Sequence, residues 1–224
     1  MSLFDEIEAQ THGAREGFLT IPVVARALSG AVGRAEYIAF LGQAYHHVRH
    51  TVPLLMACGA RLPDRLDWLG VTVAEYIGEE IGHEQWILDD IAAAGGDREA
   101  ARDTPPLPAT ELMVAYAYDL VNRVNPVGLF GMVYVLEGTS VALASRAAET
   151  LRHSLGLPKS AFRYLSSHGS LDQAHIRVLA GLLDRLTDPA DRAAVTHAAS
   201  MFYRLYGDIF RSLSNQGDIA RSAA

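Results

Sequence analysis

Six residues of the types that bind transition metals lie on apolar helical segments of this chain. They are Glu80 and His83, then Glu137, and finally His168, Asp172 and His175. The last three follow i, i+4, i+7 spacing, which holds their side chains within about 60° of one helix face. Imidazole and carboxylate ligands without thiolate suit iron or manganese, and six ligands exceed the three that a catalytic zinc usually takes from protein. The set therefore predicts a site for two Fe(II) ions, with manganese as the alternative metal.

The surroundings of Glu137 strengthen this prediction. In residues 127–135, which precede it, only the two glycines are not strongly hydrophobic. Burying an unpaired carboxylate is costly, so such groups protonate, pair with a cation or bind a metal. A structural ion pair with Arg123 or Arg146 is the alternative to metal binding here.

Two neighbouring acids compete with Glu80 for the role of ligand. The apolar stripe of this segment turns Glu80 and His83 toward the interior. Glu79 points farther from the stripe, whereas Glu84 projects close to it, so either acid is an alternative ligand. A third interpretation is that the acids are solvated and His83 is an ordinary interior histidine.

A second polar cluster, YHHVRHTVP, begins at residue 45. The residues predicted to line a substrate channel are Tyr45, His46, Arg49, His50 and, one turn before Glu137, Tyr134. In such a channel the guanidinium of Arg49 would bind a carboxylate. A second metal pair, a proton relay or hydrogen bonding in the core would also explain the two histidines spaced four apart, and the role of His47 stays open.

The apolar residues recur at helical spacing over most of the chain, which predicts an all-α protein. Helices are expected over 2–11, 33–57, 65–94, 109–124, 127–155, 159–186 and 188–215. Pro53 should kink or interrupt the second of these helices, and Gly169 should break the sixth. The segment GGDREAARDTPPLPAT is an internal connection, so residues 1–215 are predicted to form one domain and residues 216–224 a frayed tail.

The composition excludes several classes of function. Half of the residues are hydrophobic and 20% are charged, as in soluble globular proteins. A net charge of -7 without a cluster of Lys and Arg argues against a nucleic-acid partner. The single cysteine, Cys58, fits a reducing compartment, so a cytoplasmic location is expected. Neither a secretory signal nor a membrane-spanning segment is predicted.

The combined pattern resembles the heme-oxygenase-like diiron oxidases and oxygenases, iron-containing redox enzymes related to the thiaminase and pyrroloquinoline quinone synthase folds. The resemblance rests on Glu80 and His83 in EEIGHEQW, Glu137 in LEGTS, and His168, Asp172 and His175 in HGSLDQAH. It implies a compact bundle of about seven helices in which two Fe(II) ions use O2 as co-substrate. The implied substrate is a small carboxylic acid, an amine or amino acid, or a fatty-acyl compound, and a homodimer is also implied.

Related folds offer rival functions. A ferritin-like diiron bundle needs an acidic ligand on the helix before Glu80, yet no acid lies between Glu36 and Asp64. Thiamine-salvage hydrolases use a cysteine nucleophile, whereas Cys58 is more simply a buried structural thiol. The alternatives that remain are a metal-free or heme-binding relative of the same fold, a non-catalytic iron-binding protein, and a zinc hydrolase that acts without oxygen.

Overall fold

The protein is an all-helical bundle, seen here in a computed structural model. The structure describes the backbone of residues 1–222 and the side chains of residues 1–169 and 175–213. Its helices are α1 (Leu3–Leu19), α2 (Pro22–Ser29), α3 (Arg34–Val48), α4 (Thr51–Gly59), α5 (Asp67–Glu80), α6 (His83–Ala93), α7 (Arg98–Asp103), α8 (Pro108–Asp119), α9 (Leu129–Leu155), α10 (Arg163–Asp184) and α11 (Pro189–Ser222). No strand occurs in this described backbone, which confirms the all-α class. The predicted frayed segment 216–224 lies outside the described side chains.

The centre of the bundle is α9. It packs against α10 and α11, and also against α2 and α4. Together with the turn before it, α9 spans residues 126–155. By length and composition alone, this segment would be sufficient to cross a membrane. Half of the most apolar stretch is buried inside the bundle, as a core helix of a globular protein would be.

The interruption predicted at Pro53 is confirmed. Helix α3 ends at Val48, and α4 begins at Thr51 after a break at Arg49 and His50. Proline lacks an N–H, and its ring clashes with the carbonyl group four residues earlier, which here belongs to Arg49. The break therefore falls one turn before the proline itself.

The single helix predicted over 65–94 is wrong. A short 3-10 turn precedes α5, and the chain then breaks between α5 and α6 at Ile81 and Gly82. Gly82 has a φ of 90°, a left-handed conformation that favours glycine. Glu80 is consequently the last residue of α5 and His83 the first residue of α6.

The break predicted at Gly169 is also wrong, because α10 continues through it. A Cβ atom on Gly169 would lie 2.1 Å from Oγ of Ser145 and 2.9 Å from its backbone nitrogen. The glycine therefore permits a close approach of α10 to α9, and these are the helices that carry most of the predicted metal ligands.

Candidate metal centre

Three of the predicted ligands lie close together, and we call this cluster the first half-site. Glu80, His83 and His168 each present one donor atom, and these atoms all lie within 4.8 Å of one another. Oε2 of Glu80 is 3.1 Å from Nδ1 of His83, and the rings of His83 and His168 are 4.8 Å apart between centroids. The break between α5 and α6 brings the first two together, and α10 supplies the third.

Two further ligands form a second half-site between α9 and α10. Oε1 of Glu137 lies 3.4 Å from Nδ1 of His175, and both side chains are about nine-tenths buried. Oε2 of Glu137 is buried and has no hydrogen-bond partner among the described residues. The ion pair with Arg123 considered as an alternative is not formed, because Arg123 pairs with Asp119 at 3.1 Å. The side chain of Asp172, the sixth predicted ligand, lies outside the described residues.

The three acids considered as ligands lie in different surroundings. Glu80 belongs to the first half-site, and its side chain is only 10% exposed. Glu79 is 57% exposed, and its Oε2 lies 2.9 Å from Nε2 of His175. Glu84 accepts a hydrogen bond from Gln85 at the surface. Glu79 therefore contacts His175 at the ring nitrogen that is not directed at Glu137. The apolar stripe did not predict this contact.

Contacts of the ring nitrogens select the tautomers of His168 and His175. Nδ1 of His168 lies 3.0 Å from the carbonyl oxygen of Tyr164, so it must carry a proton and donate. This leaves Nε2 of His168 with its lone pair available for a metal. By the same reasoning, Nε2 of His175 carries the proton and donates it toward Glu79. Nδ1 of the same ring is directed at Glu137.

The buried carboxylates of the two half-sites have unequal acidity. The pKa of Glu137 is raised to about 7, because burial and the neighbouring charges of Glu80 and Glu79 outweigh the opposite effect of His175. Burial acts in the same direction on Glu80, but the hydrogen bond from His83 and the nearby imidazoles outweigh it and lower its pKa. Burial lowers the pKa of His168, which favours the neutral ligand form. A cation between the half-sites would compensate these buried acids.

Residues that the sequence did not suggest hold α6 against α10. The buried carboxylate of Asp90 accepts hydrogen bonds from the backbone N–H groups of Arg163 and Tyr164, at 3.0 and 2.8 Å. The indole of Trp86 packs on the ring of His83, with centroids 4.0 Å apart, and the guanidinium of Arg163 lies 4.3 Å from the indole centroid. Asp90, near the end of α6, thus caps α10 and joins the two helices.

Two cavities meet at the first half-site. The metal-side cavity is bounded by Glu80, Glu137 and apolar residues of α4 and α9. The apolar cavity extends from it between α2, α9, α10 and α11. The residues that line both are Ser140, Tyr164, His168 and Tyr206. A molecule could thus extend from the metal-type ligands into an apolar space.

The predicted channel residues lie elsewhere. Of the described residues, the walls of the two cavities include none of Tyr45, His46, Arg49, His50 and Tyr134. Arg49 lies over the ring of Tyr45, His50 contacts the hydroxyl of Tyr118 at 3.1 Å, and Tyr134 packs edge-on against Phe4 of α1. His46 is buried, and burial lowers its pKa.

His47 is the histidine of this cluster nearest the site. Its ring packs edge-on against Tyr206, with centroids 5.8 Å apart. Burial, together with the charges of His168 and of the neighbouring histidines, lowers the pKa of His47 to about 3. His47 is therefore a neutral residue behind a wall that both cavities share.

Cys58 has the environment of a structural thiol, as expected. It is fully buried, and its Sγ donates to the carbonyl oxygen of Pro126 at 3.3 Å. Burial raises the pKa of the thiol to about 12. A thiolate nucleophile is not available at this position near neutral pH.

The protein is thus an all-helical bundle whose cluster of two histidines and a carboxylate could hold a metal ion. A family model matches residues 38–207, which include all six predicted ligands, and the chain belongs to that family, the iron-containing redox enzymes. No curated protein sequence matches the chain.

Solved structures show the fold. A domain of unknown function with a heme oxygenase-like fold from Shewanella denitrificans is 23% identical, with a TM-score of 0.87 over 99% of this chain and 96% of that one. A TenA homologue from Pseudomonas syringae is 10% identical, with a TM-score of 0.78 and coverages of 96% and 93%. Heme oxygenase-1 from Synechocystis, in complex with heme, is 14% identical, with a TM-score of 0.76 and coverages of 100% and 97%. The predicted heme oxygenase-like fold is confirmed.

Proposed function

We propose that this protein is a non-heme diiron oxidase or oxygenase that uses O2 to oxidise a small organic molecule. The proposed ligands of the two Fe(II) ions are Glu80, His83, Glu137, His168, Asp172 and His175. Manganese is the alternative metal, since the same donor atoms suit it. The family of iron-containing redox enzymes supports a redox function, and the donor set supports the finer assignment.

The observation that carries this proposal is the buried Oε2 of Glu137, which has no hydrogen-bond partner among the described residues. A carboxylate oxygen in such a place is costly unless it protonates or binds a cation. His175 lies beside it with one nitrogen directed at the same space, and three further donors converge nearby. The residues present therefore fit a metal centre.

Iron bound here would supply the electrons and open coordination positions at which dioxygen is reduced. The protein's own part is to orient the ligands and to keep water away. Tyr164 and Glu79 fix the tautomers of His168 and His175, and Asp90 fixes the helix that carries both. The apolar walls of the two cavities exclude water from the substrate.

A small molecule is the only partner we propose, with a homodimer in the cytoplasm as the working assembly. The donor set favours two irons over a heme cofactor. One axial histidine is sufficient for heme, and His168 is the single histidine among the described residues that line the cavities. Its free nitrogen belongs to the same cluster as Glu80 and His83.

An anaerobic Fe(II) titration of the metal-free protein tests the proposal. We expect two ions per chain, and oxygen uptake that rises when a substrate is added. His168→Ala should lose at least one ion, because Nε2 of this residue is a donor of the first half-site. His12→Ala is the matched control, since His12 is an exposed histidine of α1.

The alternatives give different results. Iron binding without any substrate-dependent oxygen uptake would indicate a storage or binding protein. Activity in the absence of oxygen would indicate zinc hydrolysis, and a Soret band after addition of hemin would indicate a heme protein. Unchanged iron binding in His168→Ala would exclude the proposed centre.

A further inference from the structure

We infer that Trp86 is the point at which electrons from an external one-electron donor enter the metal centre. This inference rests on the proposed function, because the acceptor is the iron held by the two half-sites. Iron that has given electrons to dioxygen must be reduced again before it can act a second time. The inference therefore concerns how the centre is returned to the Fe(II) state.

Two of the described histidines of the centre are covered by tyrosines. The ring of Tyr164 lies 4.6 Å from that of His168, and the ring of Tyr76 lies 5.3 Å from that of His175, measured between centroids. Both tyrosines are buried and line the metal-side cavity. Neither of them offers a contact surface to a donor in solution.

Trp86 differs from these tyrosines because it is partly exposed and lines neither of the two cavities. Its ring centroid lies 4.0 Å from that of His83 and 6.3 Å from that of His168. The planes of the indole and of the His83 imidazole are inclined by 35°, so the two rings are in direct contact. A donor that touches the indole is therefore separated from a proposed iron ligand by one aromatic side chain.

The charge of Arg163 indicates how the indole acts. The exposed guanidinium of Arg163 lies 4.3 Å from the centroid of the Trp86 ring. Removing an electron from the indole would place two positive charges in contact, which is unfavourable. The indole thus acts as a bridge through which the electron passes, and it is not itself oxidised. The same guanidinium attracts an anionic donor.

The electron balance of this step requires two donor molecules for each centre. Each donor molecule loses one electron, and each ferric ion gains one electron and becomes ferrous. No covalent bond forms or breaks, and no proton is transferred. The donor is therefore assigned by its chemistry as an anionic one-electron reductant.

The test follows reduction of the iron-loaded protein by dithionite, whose reactive form is a one-electron anion. The protein is loaded with Fe(II), oxidised with O2 and made anaerobic, and the loss of ferric absorbance is then measured by stopped flow. Trp86→Leu should be reduced at least tenfold more slowly than the unmodified chain, because the aromatic contact with His83 is lost. Trp86→Phe, which keeps an aromatic ring, should restore most of the rate.

Trp68→Leu is the matched control. Trp68 is also partly exposed, and the guanidinium of Arg185 lies 3.7 Å from its ring centroid. It differs from Trp86 in its position, since it lies about 18 Å from Glu80 along α5. Trp68→Leu should be reduced at the rate of the unmodified chain.

Arg163→Ala tests the charge of the donor. At low ionic strength, this variant should be reduced severalfold more slowly by dithionite, because an anion is no longer attracted to the indole. Its reduction by the methyl viologen radical, which is a cation, should not become slower. Arg185→Ala removes the equivalent charge over Trp68 and should leave both rates unchanged.

Tryptophan fluorescence gives a readout that needs neither oxygen nor a reductant. The chain has two tryptophans, so Trp68→Phe leaves Trp86 as the single indole and Trp86→Phe leaves Trp68. Anaerobic addition of Fe(II) should quench the emission strongly in Trp68→Phe and weakly in Trp86→Phe, because only the indole of Trp86 contacts a proposed ligand.

The outcomes separate this inference from the proposed function. Absence of iron binding in the unmodified chain would overturn both. Normal iron binding with equal reduction rates in Trp86→Leu and Trp68→Leu would overturn the inference alone, and an indole radical detected by electron paramagnetic resonance would do the same. If Trp86→Leu does not fold, equal quenching in the two single-tryptophan variants has the same meaning.

Discussion

At the scale of single residues, the three described histidines of the centre share one arrangement. In each of them one ring nitrogen lies within 3.1 Å of an oxygen atom, which belongs to Glu80 for His83, to Tyr164 for His168 and to Glu79 for His175. Such partners fix the ring orientation and the tautomer, and they raise the basicity of the other nitrogen. Glu79 is the least buried of these partners, so its removal perturbs little else.

Replacing Glu79 by alanine should weaken metal binding. Without this carboxylate, His175 loses the acceptor for its Nε2 proton, and we expect a loss of about tenfold to a hundredfold in affinity for one of two Fe(II) ions. Anaerobic calorimetric titration measures this directly. Glu75→Ala, an exposed acid one turn earlier on α5, should bind both ions as the unmodified chain does. Equal affinities in the two variants would remove Glu79 from the centre.

At the scale of helices, two glycines show what sequence alone cannot decide. Gly82 and Gly169 both lie in apolar stretches with helical periodicity. Gly82 breaks its helix with a left-handed φ. Gly169 stays helical, and Ser145 of α9 leaves no room for a side chain there. Gly82 is required by the local backbone conformation, whereas Gly169 is required by a neighbouring helix. The residue type alone does not distinguish the two cases.

The same limit explains which parts of the centre could be predicted. The ligand types and their spacing are properties of single segments. The apolar run before Glu137 and the i, i+4, i+7 spacing that begins at His168 therefore single out these residues as candidates. The contact of Glu79 with His175 joins α5 to α10, and the cap of Asp90 joins α6 to α10. Contacts between segments far apart in the chain leave no periodic signal in either segment.

The two glycines of α10 lie in different surroundings, so replacing each by alanine should change the free energy of unfolding in opposite directions. In Gly169→Ala the new methyl group overlaps Ser145, so α9 and α10 must separate, at a cost of about 1–3 kcal/mol in the free energy of unfolding. A Cβ at Gly181 meets nothing within 4 Å, so Gly181→Ala should stabilise the helix by about 0.5–1 kcal/mol. Urea unfolding measures both changes. A stabilising Gly169→Ala would show that the two helices are not in close contact there.

At the scale of the whole molecule, stability and metal binding depend on separate groups of charges. Asp191 at the start of α11 is buried and accepts hydrogen bonds from Arg65 and from Asn125, which joins α11 to the turns before α5 and α9. The hydrogen bond from Arg65 is the main cause that lowers the pKa of Asp191. None of these three residues belongs to either half-site, so the network can be removed without touching a proposed ligand.

This separation predicts how two variants respond to metal. Fe(II) at a hundredfold excess over its dissociation constant should add about 2.7 kcal/mol per site to the free energy of unfolding of the unmodified protein. Asp191→Asn should lower the stability of the metal-free protein by about 2 kcal/mol, because charged hydrogen bonds are lost, and should keep the increment from metal. His168→Ala should leave the free energy of unfolding of the metal-free protein within about 1 kcal/mol of that of the unmodified chain, because no buried charge is left unpaired. The same variant should lose the increment of at least one site, because it removes a ligand. Anaerobic urea unfolding of the three proteins, with and without Fe(II), gives each stability change and each increment from metal. A full increment in His168→Ala would mean that iron stabilises the fold from somewhere other than the space between α5, α6, α9 and α10.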